Sequence, residues 1–184
     1  MRIVGGRFRG LALADVGRGD PAAHLRPTSD RVRESLFNVL AGGRHGDPVS
    51  GARVLDLFAG TGALGLEALS RGAAHATFVE NGAAALALLR RNIAKTRTEA
   101  ETRVVVRDAT SPGPGTPHDL VFLDPPYGKG LGEAALSAAR ADGWIAPAAL
   151  VVWEDGAPMP APESFAPVET RRYGGTHITF LRAP

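Results

Sequence analysis

The tetrapeptide Asp124-Pro125-Pro126-Tyr127 combines residue types that can activate and hold a planar amine. An exocyclic amine on a nucleic-acid base is a poor nucleophile because its lone pair is delocalised into the ring. The Asp124 carboxylate and the Pro125 carbonyl could each accept one N–H bond, which would draw the nitrogen towards tetrahedral geometry. The Tyr127 ring offers a face on which the base can stack, a contact typically worth about 1–3 kcal/mol. The tetrapeptide therefore predicts methylation of an amine.

A turn is the plain structural alternative, because Asp and Pro are common in turns. The tetrapeptide, however, directly follows the apolar segment 120–123, which has the character of a buried strand. Its two prolines make the chain rigid and block a helix start. Ligands of open α/β sheets bind beyond the carboxyl ends of strands. We therefore interpret Asp124, Pro125, Pro126 and Tyr127 as catalytic residues.

Residues 56–65 form a glycine-rich segment of the kind that holds a nucleotide-like cofactor. Gly60, Gly62 and Gly65 have the spacing G-x-G-x-x-G, and Glu80 lies 20 residues after Gly60. Glycine permits the tight turn and the close approach of a ligand to the backbone. Taken alone, this pattern is equally typical of a dinucleotide-binding site.

Acidic residues after three successive strands favour S-adenosylmethionine over a dinucleotide. Asp56, at the tip of the first predicted strand, would oppose a pyrophosphate but suits the ammonium group of the methionine end. Glu80 could accept bonds from both ribose hydroxyls, and Asp108 lies where an adenine amine would sit. Because the carboxyl ends of parallel strands share one edge of a sheet, these residues predict a single site.

Two of these acidic residues also have structural alternatives. Glu80 could cap a helix, and Asp108 could belong to a turn. Their spacing along successive strand ends favours the functional interpretation. The predicted cofactor-binding residues are Asp56, Phe58, Ala59, Gly60, Thr61, Gly62, Glu80, Asn81, Asp108, Ala109 and Asp124.

Alternating strands and helices must position these residues. Apolar periodicity predicts strands at 54–57, 76–80, 104–106, 120–123, 150–153, 168–173 and 177–181, and helices at 63–71, 82–95 and 131–140. This alternation is typical of an α/β fold with a mostly parallel sheet, and the last two strands add an antiparallel edge. Segment 111–117 is too short and too rich in Pro and Gly for a crossover helix, so we expect a loop there.

The N-terminal part of the chain carries an excess of positive charge. Residues 1–40 contain seven arginines and four acidic residues, whereas the whole chain has a net charge of only +2. Arginine suits phosphate and base contacts because its planar fork donates two parallel hydrogen bonds. We expect residues 1–43 to form an RNA-facing arm and helix on a core at 53–184, within one compact domain.

The pattern of residues 1–43 predicts two elements. Residues 1–14, with glycines between short apolar stretches, are expected to form a hairpin or an irregular arm. A helix is predicted to have Thr28 or Ser29 as its N-cap and to end at Gly42-Gly43. Its predicted apolar stripe consists of Val32, Leu36, Val39 and Leu40.

Composition restricts other chemistry. The 184 residues, 44% of them hydrophobic, suffice for one domain with a substantial core. The chain has no cysteine, and its five histidines are scattered, so we expect no metal. No apolar run approaches the roughly 18 residues of a membrane span, and the start lacks the apolar stretch of a signal peptide. We expect a cytoplasmic protein without membrane contact.

Four segments make the chain resemble the RsmD family, the 16S ribosomal RNA (guanine-N2)-methyltransferases. Two of them, MRIVGGRFRG at 1–10 and RPTSDRVRESLFN at 26–38, are specific to that family. The other two, VLDLFAGTG at 54–62 and FLDPPY at 122–127, occur more widely among amino-methyltransferases. The resemblance covers nearly the whole chain.

The resemblance implies a class I, Rossmann-like methyltransferase whose seven-stranded sheet has helices on both faces. It implies S-adenosylmethionine as the methyl donor, S-adenosylhomocysteine as the product, and the N2 amine of one guanine in 16S rRNA as the acceptor. We expect the RNA to be presented in a partly or fully assembled 30S particle, and the enzyme to be a monomer. Together with the basic arm, the resemblance predicts RNA-binding roles for Arg2, Arg7, Arg9, Arg26, Thr28 and Arg31.

Other functions fit parts of the pattern. Adenine-N6 DNA enzymes and glutamine-N5 protein enzymes use similar tetrapeptides, but the former usually need an added recognition domain and the latter usually begin with Asn. A nicotinamide-dependent oxidoreductase would account for the glycines but would leave the tetrapeptide without a role. A catalytically idle RNA-binding assembly factor would use only the basic arm.

Overall fold

The structure, a computed structural model, describes residues 1–15 and 29–184. In this part of the chain, seven strands form one mixed sheet in the order β3-β2-β1-β4-β5-β7-β6. The strands are β1 (Arg53–Leu57), β2 (His75–Glu80), β3 (Thr102–Val106), β4 (His118–Leu123), β5 (Ile145–Asp155), β6 (Ala166–Tyr173) and β7 (Thr176–Arg182). The helices are α1 (Asp30–Ala41), α2 (Ala63–Ser70), α3 (Ala83–Thr96) and α4 (Leu131–Ala141).

The order of the strands creates a crevice beside β1. Strand β1 pairs in parallel with β2 on one side and with β4 on the other, so the chain reverses its direction of travel across the sheet at this point. In open α/β sheets such a reversal leaves a crevice outside the carboxyl ends of the two strands. The glycine-rich segment follows β1 and the tetrapeptide follows β4, so the topology brings them together.

Both faces of the central sheet are covered by helices. The core on one face joins α1, α2 and α3 to the sheet, and Phe37 packs against Phe122 with ring centroids 5.7 Å apart. The core on the other face joins α4 and Trp144 to the sheet. Burial on both faces explains why strand residues such as Leu55 and Val121, both 0% exposed, occur in continuous apolar runs.

Helix α1 confirms the predicted N-cap but not the whole predicted stripe. The Ser29 side chain accepts a hydrogen bond from the Val32 N–H at 3.2 Å, whereas Thr28 lies outside the described residues. The fully buried residues are Arg33, Leu36, Phe37 and Leu40, while Val32 and Val39 are only half-buried. The buried face of α1 therefore includes Arg33 and Phe37 in place of the predicted Val32 and Val39.

Acidic side chains and a backbone carbonyl explain how Arg33 can be fully buried. Its guanidinium donates to Asp30 Oδ1 at 2.8 Å and to the backbone carbonyl of Arg2, and its Nε lies 3.7 Å from Glu67 Oε2. Glu67, also fully buried, accepts a bond from the backbone N–H of Val4 at 2.8 Å. Buried charges require such partners, and this network joins α1, α2 and the N-terminal residues.

Residues 1–15 form a narrow hairpin-like arm, as expected from their glycines. Arg2 and Ala12 form an antiparallel bridge, and a 3-10 turn at Gly6–Phe8 reverses the chain. The arm is secured to α3 by Asn92, which is fully buried and forms hydrogen bonds with both the N–H and the carbonyl of Ala14, at 2.7 and 3.0 Å.

The remaining elements match their predictions except for the length of β5. The strand begins at Ile145, which pairs with His118 of β4, and it continues to Asp155, where β7 pairs with it antiparallel. Residues 107–117 contain no helix, as their Pro and Gly content predicts. Within the described ranges, the helices are too short or too polar to cross a membrane.

Candidate functional site

A cavity of about 660 Å³ lies at the carboxyl ends of the strands. It joins the segments that follow β1, β2, β3 and β4, including the whole tetrapeptide. The predicted residues that line it are Asp56, Phe58, Ala59, Gly60, Thr61, Glu80, Asn81, Asp108, Ala109, Asp124, Pro125, Pro126 and Tyr127. Its volume is in the usual range for a cofactor site, about 300–1,000 Å³.

Left-handed backbone conformations shape the loop after β1. Gly60 and Gly62 have φ of 55° and 79°, and Phe58, which is not a glycine, has φ of 59°. A Cβ on Gly62 would lie 2.4 Å from Leu89 Cδ1, and one on Gly65 would lie 2.4 Å from Phe78 Cε1. Gly62, the predicted cofactor residue outside the cavity lining, therefore lets α3 and β2 pack against the loop.

Asp56 is a buried carboxylate in the cavity wall. It is 2% exposed, and its Oδ2 accepts a hydrogen bond from the Gly65 N–H at 2.9 Å in the first turn of α2. Burial raises the pKa of Asp56 to about 8, the negative charge of Glu80 adds to this, and the Gly65 bond opposes it. A ligand cation would offset these effects, so the residue suits an ammonium group.

Glu80 has a structural role of the kind that its position suggests. Its Oε1 accepts bonds from the N–H groups of Asn81 and Gly82, at 2.9 and 2.7 Å, and its Oε2 accepts one from Gly60 at 2.8 Å. The carboxylate thus secures the start of α3 and the glycine loop. Because a carboxylate has about four lone-pair sites, Oε2 can still accept about one bond from a ligand.

Asp108 forms a turn at the rim of the cavity. Its Oδ1 accepts bonds from the N–H and hydroxyl of Thr110, at 2.8 and 2.7 Å, and these bonds lower the pKa of Asp108. Its Oδ2 lies 3.5 Å from the Asn81 amide nitrogen. The structural role that its sequence position suggests is present, and the side chain still lies beside Ala109 in the lining.

Asp124 is placed at the junction of the glycine loop and the tetrapeptide. Its N–H donates to the Leu57 carbonyl at 3.5 Å, which ties the end of β4 to the end of β1. Burial, and then the negative charges of Glu154, Asp56 and Asp155, hold the pKa of Asp124 well above its usual range. Such a carboxyl group accepts a proton more readily than an ordinary aspartate.

Sequence reasoning missed several residues around the site. The cavity is also lined by Met1, Asp15, Ala63, Leu64, Val79, Gly82, Ala83, Ala84, Ala85, Arg107, Lys129 and Leu131. Glu154, which accepts a bond from the Tyr127 hydroxyl at 3.2 Å, was also missed. The polar end of the apolar run at β5 was the signal available for Glu154, since the preceding strands also end in acidic residues. The described residues contain no cluster of potential metal ligands.

Two of the predicted RNA-binding arginines, Arg2 and Arg31, lie where the arm meets the start of α1. Met1 lines the cavity, and Arg2, 67% exposed, has its Nε 3.5 Å from Asp30 Oδ2 at the start of α1. Arg31, the next residue of α1, is exposed.

The others are not gathered there. Arg7 pairs with Glu101, which lies at the amino end of β3, whereas the cavity lies at the carboxyl ends of the strands. Arg9 is exposed near the same turn of the arm. Arg26 and Thr28 lie outside the described residues.

The sheet order, the helices on both faces and the cavity beyond β1 and β4 define a class I, Rossmann-like methyltransferase fold. Residues 1–182 match the family model described as "Conserved hypothetical protein 95". The chain belongs to the RsmD family, as its sequence segments predict.

Individual relatives and a solved structure agree with this assignment. The chain is 45% identical over 156 residues to the Escherichia coli (strain K12) "Ribosomal RNA small subunit methyltransferase D", covering 84% of this chain and 74% of that protein. It is 35% identical over 181 residues to the protein of the same name from Haemophilus influenzae, covering 95% and 89%. The solved structure of the Escherichia coli protein yhhF superposes with a TM-score of 0.82 at 39% identity, covering 100% and 97%.

Proposed function

We propose that the protein transfers a methyl group from S-adenosylmethionine to the N2 amine of a guanine in 16S rRNA. The observation that carries this proposal is that Asp124 and Asp56 line the same cavity, beside the strand at which the order of the sheet reverses. An amine-binding carboxylate and a carboxylate suited to a cofactor cation are thereby brought together. The names of the relatives support a ribosomal RNA acceptor.

The residues present fit S-adenosylmethionine, which supplies a methyl group on a sulfonium when bound. Asp56 is buried in the wall and would hold the ammonium group. Oε2 of Glu80 would accept a bond from a ribose hydroxyl, and Asp108 and Asn81 would face the adenine. The cavity that these residues share is lined by backbone at Gly60, which permits the close approach of the ligand.

Asp124, Pro125 and Tyr127 would act on the amine. Asp124 and the Pro125 carbonyl would each accept an N–H bond, so that the nitrogen lone pair points at the methyl group. The N–CH₃ bond forms as the S–CH₃ bond breaks, and the amine then carries a positive charge. Because the pKa of Asp124 is raised, this carboxylate can take the proton that the amine releases and pass it to solvent.

For the RNA side, we propose that the arm and α1 face the substrate while residues 53–184 hold the cofactor, within one compact domain. Arg2 and Arg31 would contact phosphates of the RNA, and Arg7, Arg9 and residues 26–28 would add further contacts. A small domain with a modest basic surface favours a partly or fully assembled 30S particle as substrate and a monomeric enzyme.

The decisive experiment is transfer of a radiolabelled methyl group into 30S particles, naked 16S rRNA, DNA and a peptide release factor. We expect label in particles or rRNA, and mass mapping of nucleotides should locate it on guanine N2. Label in DNA or the release factor alone would refute the proposal. Thermal stabilisation by NAD(P)H but not by S-adenosylhomocysteine would instead indicate an oxidoreductase.

A further inference from the structure

The hydroxyl of Tyr127, a residue that lines the cavity, is hydrogen-bonded to a side chain of β5. It donates a hydrogen bond to Glu154 Oε1 at 3.2 Å. Glu154 is the penultimate residue of β5, is only 5% exposed, and lies outside the set of described residues that line the cavity. The pair thus connects the tetrapeptide to a buried carboxylate of β5.

Two further contacts fix the tyrosine ring. A Cβ on Gly156 would lie 3.1 Å from Tyr127 Cδ2, so the backbone just after β5 packs closely against the ring. The side chain of Thr176, at the start of β7, also forms a hydrogen bond with Tyr127. Since β5 and β7 are paired strands, the ring is fixed by the antiparallel edge of the sheet.

The cost of placing Glu154 here indicates a role beyond packing. A buried carboxylate is expensive, and a hydrophobic residue at the same strand position would usually be at least as stable. The ionised Glu154 is destabilised further by a nearby acidic group, Asp124. The charge of Glu154 is the largest contribution after burial to the raised pKa of Asp124. Such a residue is expected where function offsets the loss of stability.

We propose that Glu154 is a positioning residue for methyl transfer, which fixes the Tyr127 ring so that a stacked base presents its amine to Asp124. A tyrosine side chain free to rotate would lose that freedom when the base binds, and a ring already fixed loses less. The inference rests on the proposed function, because it requires a base as the acceptor.

The test compares steady-state methylation of 16S rRNA, as 30S particles or naked RNA, by wild type, Glu154→Ala, Glu154→Gln and Tyr127→Phe. We expect Glu154→Ala and Tyr127→Phe each to raise KM for RNA about tenfold, the factor expected for one hydrogen bond to a charged group. Glu154→Gln keeps an acceptor oxygen, so its KM for RNA should stay within about threefold of the wild-type value. The affinity for S-adenosylhomocysteine, measured by calorimetry, should be unchanged.

The double variant Glu154→Ala/Tyr127→Phe separates positioning from a general loss of structure. If Glu154 acts through the tyrosine hydroxyl, the double variant should be no worse than either single variant. Glu163→Gln is the control, because it removes an exposed carboxylate from the segment between β5 and β6 by the same chemical change, and its KM for RNA should equal that of wild type. A wild-type KM for Glu154→Ala, or effects that multiply in the double variant, would overturn the inference.

Tyr127→Phe and the wild-type enzyme distinguish failure of this inference from failure of the fold or of the proposed function. If Glu154→Ala fails to fold, Tyr127→Phe decides alone, since a wild-type KM for that variant would also overturn the inference. If the wild-type enzyme labels no RNA, the proposed function fails independently of this inference. If it labels DNA instead, the same variants are measured with DNA.

Discussion

Asp56 is expected to make cofactor binding sensitive to pH. Its pKa is raised to about 8 in the ligand-free protein, so at neutral pH the group must lose a proton when it binds an ammonium group. We expect the affinity for S-adenosylhomocysteine to rise with pH between about 6 and 9, because the carboxylate becomes charged in that window. Calorimetry across this range measures the slope, and Asp56→Asn should bind more weakly with a flatter profile. An equal slope in that variant would contradict the assignment.

The raised pKa of Asp56 has the opposite effect on stability. The folded protein holds a proton on this group between the unfolded pKa of 3.8 and the folded value of about 8. The resulting stabilisation is present below 3.8 and is lost as pH rises through about 8, and the raised pKa of Asp124 acts in the same direction. The ligand-free protein should therefore unfold at lower urea concentration at pH 8 than at pH 5, and Asp56→Asn should reduce this difference.

Asp124 is expected to contribute to the chemical step rather than to cofactor affinity. Asp124→Ala removes an acceptor of the amine N–H, so we expect turnover to fall by about a hundredfold to a thousandfold. The substitution also removes a charge that burial and Glu154 disfavour, so the fold should be retained. Single-turnover transfer and S-adenosylhomocysteine titration separate the two effects. Unchanged turnover would refute the assigned role.

At the scale of elements, the glycine loop depends on a close contact with α3. Gly62 has φ of 79°, and a Cβ there would lie 2.4 Å from Leu89 Cδ1. Gly62→Ala should destabilise the protein by about 2–4 kcal/mol, from left-handed strain and from overpacking. Gly51→Ala is the matched control, because Gly51 has φ of 69° but no atom within 4 Å of its added Cβ among the described residues. In urea unfolding, equal losses in the two variants would contradict the packing argument.

Asn92 connects three elements through one buried side chain. Besides its two hydrogen bonds with Ala14, its amide donates to the Thr61 carbonyl at 3.0 Å, so the arm, α3 and the glycine loop meet at this residue. Asn92→Ala should lower the free energy of unfolding by about 2–4 kcal/mol, because three hydrogen bonds and buried volume are lost. Cofactor affinity should fall with it. Arg91→Ala, at the exposed neighbouring position, is the control and should be close to neutral.

The sequence predicted the elements better than it predicted the polar residues between them. Strand ends and their acidic residues follow local patterns, so Asp56, Glu80 and Asp124 could be placed in one site before any coordinates. Asn92 and Arg33 could not, because their partners lie up to 78 positions away in the chain. A polar residue within a helix usually indicates an exposed face, and only the tertiary structure shows a buried network.

At the scale of the whole molecule, the arm carries three of the seven arginines of residues 1–40. Its two terminal segments are secured by Arg33 and Asn92, and its turn is secured by Ser70, which forms hydrogen bonds with the backbone of Gly5 and Phe8. Because the arm is secured at its terminal segments and at its turn, its arginines have defined positions relative to the tetrapeptide. They can therefore differ in how much each contributes to RNA binding.

This geometry predicts an order among the arginines. Arg2 follows Met1, which lines the cavity, and Arg31 follows Asp30, the ion-pair partner of Arg2, whereas Arg7 is paired with Glu101 before β3. Arg31→Ala and Arg2→Ala should each weaken RNA binding and reduce the slope of log K against log salt concentration by about 1. Arg7→Ala, the matched control on the same arm, should change the slope by much less because its charge is already partly neutralised. Filter binding of 16S rRNA over a range of salt concentrations measures the slopes. A larger effect for Arg7 than for Arg31 would place the RNA near the amino ends of the strands, away from the tetrapeptide at their carboxyl ends.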